Sequence, residues 1–142
     1  MTNRTTAALT ALAAALVLSG CGAAGGGAGA AGSGGPHTAT AADLTGARWL
    51  PADGAAQGRA FAEFAADGAW TGSDGCNGQG GEWTLGDDGV LRATANPSTL
   101  IACENVPVAR WVSDAVHVET EGDALLLHPA TGDPVRLVRA PR

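Results

Sequence analysis

The sequence predicts a mainly β domain, an antiparallel barrel or sandwich of short strands carrying a single helix. Three observations lead there. Aspartate and glycine recur together at Ala66-Asp67-Gly68, Gly86-Asp87-Asp88-Gly89, Glu121-Gly122-Asp123 and Thr131-Gly132-Asp133-Pro134. Glycine supplies the positive φ, and aspartate the side-chain-capped geometry, that tight hairpins need. Short apolar-rich runs lie between these turns, and a turn every roughly 8–12 residues is the spacing of a sandwich or barrel. One segment alone has helical spacing: Val108, Trp111, Val112 and Ala115 fall at i, i+3, i+4 and i+7.

Taken in order, the strands are expected at 48–50, 60–65, 69–73, 82–85, 90–94, 116–120, 124–128 and 135–139. The helix is expected over 106–115. Asn105 suits its N-cap and Pro107 is tolerated in its first turn. Its apolar face, led by Trp111, is expected to close one end of the β-structure.

Ahead of this domain the chain reads as a leader. Arg4 stands in a short polar start, the run 7–18 is apolar apart from Thr10, and the run ends at Leu18-Ser19-Gly20-Cys21. A positive start, a short apolar run and small residues before a cysteine make a secretory signal with a lipobox. The run is too short to span a bilayer, which takes roughly 20 residues as a helix. The mature protein is therefore expected to begin at Cys21, with diacylglycerol on its thiol, held at the extracytoplasmic face of the cell membrane. Several acyl chains hold stably where one holds marginally. Residues 1–20 are thus a signal peptide, and 21–42 a lipidated cysteine and flexible tether. The tether is nearly all Gly, Ala, Ser and Thr, with a reach of roughly 25 Å. His37 within it is expected to be solvated. Residues 43–142 remain for the folded domain, long enough for one core.

The chain carries 8 basic and 14 acidic residues, a net charge of −6, and it has no lysine. Loss of the leader with Arg4 makes the remainder more acidic still. Such a surface argues against nucleic acid as a partner and against electrostatic adhesion to anionic lipid. The lipid on Cys21 is left as the link to the membrane.

With Cys21 acylated, Cys76 and Cys103 remain, and an even pair in an oxidising compartment is most simply a disulfide. It closes a loop of about 27 residues and is worth roughly 3–4 kcal/mol in loop entropy. Zinc prefers clustered spacings such as CxxC or HxxxH. Here the two cysteines stand alone and His37, His117 and His128 are scattered, which argues against a metal site. A reactive thiol wants a base nearby and no disulfide partner.

Catalytic chemistry finds no constellation. Ser73 lies in Gly72-Ser73-Asp74-Gly75, not in a Gly-x-Ser-x-Gly elbow. His117 and His128 belong to strands, tied by no spacing to a serine and an acid, so a hydrolase built on them is the weakest reading. Asp67, Asp87, Asp88, Glu121, Asp123 and Asp133 sit in turns, where backbone capping explains them and no glycosidase pair is motivated. Gly78-Gln79-Gly80-Gly81 leads into a strand, so it opens no phosphate-binding helix. No catalytic residue and no cofactor is assigned. Trp49, Trp70, Trp83 and Trp111 supply bulk to an alanine-rich core, each burying roughly 150–250 Å² when fully enclosed. Trp70 and Trp83 flank the Gly-rich loop and are the candidates for lining an apolar groove.

Gly75-Cys76-Asn77 followed by Gly80-Gly81-Glu82-Trp83, and then Thr99-Leu100-Ile101-Ala102-Cys103, resembles the META/HslJ-type domain. Gly46-Ala47-Arg48-Trp49-Leu50 stands where that family opens with a Gly-x-x-Trp-x-Leu-like strand, its leucine here directly after the tryptophan. Leu125, Leu127, Gly132 and Leu137 match its terminal hairpin. Ile101 replaces the family's usual methionine, and Ala109-Arg110-Trp111 stands where members often carry a helical glutamate. The resemblance covers 44–139. It implies a small antiparallel β-barrel of the cracked type with one helix, frequent in cell-envelope proteins and with no enzymatic activity established for the family. The shape is similar to that of the type III secretion pilotins, whose cracked barrel receives an acyl chain or a partner peptide.

Within the motif, Gly75 and Gly78 permit a tight turn around Cys76. Asn77 can bond a nearby main-chain group or take the left-handed conformation itself, and Thr99 can cap the segment presenting Cys103. Two functions follow as expectations. The first is a lipid-anchored, non-enzymatic envelope protein that binds or stabilises another envelope component. The alternative is a carrier of a small apolar ligand or acyl chain.

Overall fold

The structure is a computed structural model describing residues 34–142, so Cys21, the leader and the first part of the tether lie outside the described residues. Nine strands form one antiparallel sheet. They are β1 (His37–Thr38), β2 (Arg48–Pro51), β3 (Ala60–Phe64), β4 (Ala69–Asp74), β5 (Gly78–Leu85), β6 (Leu91–Ala93), β7 (Ala115–Glu121), β8 (Ala124–Pro129) and β9 (Val135–Arg139). Their order is β1-β7-β8-β9-β2-β3-β4-β5-β6. Two meanders, β2 to β6 and β7 to β9, are joined where β9 pairs with β2. The sheet then curls until its far edge meets β7: Val90 bridges His117, and the Val118 N–H donates to the Gly89 carbonyl at 2.9 Å. The result is a small curled barrel, open between β6 and β7 except at that bridge.

The alternation that marks the strands also fills the barrel. Ala60, Ala62 and Phe64 of β3 point inward, with Phe61 and Glu63 on the other face. Trp49, Trp70, Leu44, Leu125, Leu127 and Leu137 are the bulkiest fully buried side chains. Each buried indole finds a carbonyl, as a buried N–H must. Trp49 donates to Leu44 at 2.9 Å, Trp70 to Thr94 at 2.7 Å, and Trp83 to Ala65 and Ala69 at 3.1 and 3.0 Å. Gly81 makes one of these contacts possible, since a Cβ there would lie 2.8 Å from the Trp70 ring nitrogen. On the outer face, the strand partners Arg48 and Glu63 pair, and the Arg48 guanidinium lies 4.0 Å above the Phe61 ring.

All eight expected strands are present, with β5 beginning at Gly78 rather than at 82. The helix differs in detail. α2 spans Val108–Asp114 and follows Pro107, while Ala115 already opens β7. Asn105 does not cap it: its amide turns instead to Asp74. Val108 and Val112, not Trp111, lead the buried face, and Trp111 is only half-buried. The helix packs against β3, β4, β5, β6 and β8, a set of strands it can touch together only at the mouth of the barrel.

The domain also begins earlier than the composition suggested. His37 and Thr38 pair with Thr120 and Glu119 as β1, and the His37 ring nitrogen lies 2.8 Å from the Thr120 hydroxyl. His37 is exposed, as expected, but also engaged with β7. Ala39 follows fully buried, its N–H bonded to the Val118 carbonyl at 3.0 Å. A one-turn helix, α1 (Ala41–Leu44), comes next. The Asp43 carboxylate accepts the Thr40 N–H and hydroxyl at 2.8 and 2.7 Å, and those bonds, the hydroxyl's first, hold its carboxyl below the usual carboxylate range. Residues 37–42 carry only histidine, threonine and alanine, which is why composition reads this stretch as tether.

Candidate functional site

The Gly-Cys-Asn segment turns the chain from β4 into β5. Gly75 sits at φ 109° with Ala56 pressed against it: a Cβ at Gly75 would lie 2.6 Å from that methyl. Only glycine meets both demands without strain. Gly78, by contrast, has ordinary negative φ, and so does Asn77. Ala56 and its neighbour Gln57 themselves stand at φ 54° and 56°, a left-handed pair of non-glycine residues in the tight turn Ala55–Gly58. Such conformations cost of order 1–2 kcal/mol each and persist only when surrounding packing fixes them. Here the buried Ala56 methyl against Gly75 does so.

Asp74, at the end of β4, is 4% exposed and gathers the turn around its carboxylate. It accepts the N–H groups of Cys76 and Asn77 at 2.8 and 2.6 Å and the Asn77 amide at 2.9 Å. The Asn105 amide reaches it at 3.4 Å. Burial pushes the Asp74 carboxyl up, but bonds from Asn77, Cys76 and Asn105 outweigh that and hold it below the ordinary value.

Asn77, itself 1% exposed, passes the connection on. Its oxygen accepts the Ile101 N–H at 2.7 Å and the Thr99 hydroxyl at 3.3 Å, while its amide also donates to the Ile101 carbonyl at 3.3 Å. One asparagine side chain thereby satisfies both main-chain groups of Ile101, as a neighbouring strand would. Cys76 and Cys103 pair at disulfide distance, their Cα atoms 6.4 Å apart, within the span a disulfide bridges.

These contacts hold a long connection, 94–107, that contains neither helix nor strand. Its ends are tied by Asn96 N–H to the Gly80 carbonyl at 2.8 Å and Val106 N–H to the Asp74 carbonyl at 2.9 Å. Its middle is tied by Asn77 and the cysteine pair. At its crest Leu100 is 91% and Ile101 61% exposed, the two most exposed large apolar side chains among the described residues. Beside them a cleft of ≈ 300 Å³ is lined by Gln79, Leu100, Asn105, Val106 and Pro107. An apolar pair fixed by a disulfide and a buried polar hub is ordered before any partner arrives. Such preorganisation reduces the entropy cost of binding.

Trp70 and Trp83 do not line a groove. Both are core residues, 1% and 5% exposed, with Phe64 edge-on to Trp83 at 5.3 Å between ring centroids. In an alanine-rich barrel their volume is needed in the core. The Ser73 hydroxyl accepts the Gly75 N–H at 3.0 Å. His117 and His128 are brought together as register partners on β7 and β8, their ring centroids 5.9 Å apart. Nothing in the linear sequence marks Leu100 and Ile101 as surface, because an apolar pair before a cysteine looks like core without the Asn77 hub that holds it outward.

A family model described as META domain matches residues 42–142. No curated protein and no solved structure matches the chain.

Proposed function

The chain belongs to the META domain family, and we propose an exported, lipid-anchored protein of the cell envelope that acts by binding another envelope component. META is not a known enzyme family. Anchorage rests on the lipobox at Leu18-Ser19-Gly20-Cys21. The observation that carries the binding role is the pinned loop with Leu100 and Ile101 turned to solvent. Exposed apolar side chains on a rigid support mark interaction surfaces, whereas single scattered ones need no explanation. The carrier alternative gains no support from the barrel interior, which tryptophan, leucine and valine side chains occupy.

The test is capture from detergent-solubilised membranes using the full chain and a Leu100→Asp, Ile101→Asp double variant. Both side chains are exposed, so the variant should melt with the parent. A specific protein partner retained by the parent and lost by the variant supports the reading. Equal capture by both removes the loop from the interface. In parallel, Cys21→Ala should abolish palmitate incorporation and release the chain from the membrane fraction.

A further inference from the structure

β7 and β8 form a hairpin across Gly122 and Asp123, and its outer face carries a cluster that no linear spacing announces. His117 stands opposite His128, and Glu119 lies two residues along β7 on the same face. The Glu119 carboxylate and the His128 ring nitrogen Nε2 are 2.8 Å apart. One donor atom from each of His117, Glu119 and His128 lies within 4.8 Å of the other two, and all three residues are partly exposed. We propose that these three side chains bind a divalent transition ion of the zinc class.

The donor chemistry selects the ion. Two imidazoles and one carboxylate suit zinc and its neighbours, whereas magnesium and calcium take oxygen donors throughout. Two neutral imidazoles with one carboxylate leave a fourth position for water, the arrangement of an open zinc site. The separations are compatible with that. Tetrahedral zinc at about 2.0–2.1 Å from each donor sets the donors about 3.3 Å apart. Small side-chain rotations bridge the difference, because partly exposed side chains have room to turn while the β7–β8 ladder fixes their Cα positions.

A second feature favours metal over a plain surface ion pair. His117 Nε2 lies 3.1 Å from the Asp88 carbonyl oxygen. A carbonyl only accepts, so Nε2 carries the proton there and Nδ1 keeps its lone pair. Metal-bound histidines are commonly held in this way by a main-chain carbonyl that fixes tautomer and ring orientation. The Asp88 carbonyl is itself placed by the Gly86–Gly89 turn, where Gly89 N–H bonds the Gly86 carbonyl at 2.9 Å, and by the bridge that closes the barrel. Metal binding would therefore tie the hairpin to the seam between β6 and β7.

The experiment is calorimetric titration of the full chain with zinc chloride, with Cys76 and Cys103 oxidised and Cys21→Ala in place so that no thiol competes. The expected result is one zinc per chain, a ligand-field spectrum of low symmetry when cobalt replaces zinc, and a rise in the thermal midpoint on metal addition. His128→Ala and Glu119→Gln should each weaken zinc roughly tenfold or more, while their metal-free melting shows that they fold. His37→Ala should leave the affinity unchanged. Absence of saturable binding, or binding that survives both His128→Ala and Glu119→Gln, overturns the proposal.

Discussion

Asp74 and Asn77 together decide the shape of the loop they hold. Both are buried, and between them they engage Cys76, Thr99, Ile101 and Asn105. Asp74→Asn replaces an oxygen that accepts with an amide that donates, against groups that are all donors. The variant should lose roughly 2–3 kcal/mol in urea unfolding, the cost of a charged hydrogen-bond partner removed from a buried site. The same residue gives the protein an acid limb. Because its folded carboxyl titrates below the unfolded value of 3.8, its contribution is present in full above that value and lost as pH falls through the folded one. Asp43 shifts in the same direction, owing to Thr40. Stability measured from about pH 6 downward should therefore fall steeply in acid, and the fall should be shallower in Asp74→Asn.

At the scale of elements, the disulfide and the 94–107 connection form one unit. The bridge joins the β4–β5 turn to the end of the exposed loop, a separation of 27 residues. Reduction should lower stability by roughly 3 kcal/mol, with amide exchange rising first across 97–104 and not in β7 to β9. Uniform loss of protection across the sheet would mean that the bridge supports the whole barrel rather than the loop. The hairpins behave differently, because their register follows from turn length. A two-residue turn at Gly122-Asp123 places Glu121 opposite Ala124 and, four steps further back, His117 opposite His128. That juxtaposition was present in the sequence for anyone who counted from the turn, yet spacing rules built for helices and zinc fingers pass over it.

For the molecule as a whole, the N-terminal segment matters more than its composition suggests. Ala39 and Leu44 are fully buried, and β1 covers part of the β7 edge. A chain truncated to begin at Asp43 loses β1, Ala39 and the Thr40 cap. It should melt lower by roughly 2–3 kcal/mol of stability, from lost backbone bonds and exposed apolar surface. An unchanged midpoint would show that β1 rests on the barrel without supporting it. The mouth of the barrel depends on α2, whose Val108 and Val112 are buried.

The strands, their turns and the cysteine pairing were legible because each rests on local chemistry: alternation, Asp-Gly geometry, and an even pair of cysteines. The Gly-Cys-Asn motif was visible too, although not the identity of its partners. Thr40-Ala41-Ala42-Asp43 carried a capping signature that a low-complexity stretch concealed. What a linear reading could not supply were contacts between residues distant along the chain. Trp70 and Trp83 turned inward because an alanine-lined barrel needs their bulk to fill it. Leu100 and Ile101 turned outward because Asn77 satisfies the backbone of Ile101. Periodicity and turn chemistry act over a few residues, whereas volume and buried polar pairing are settled only when the sheet closes.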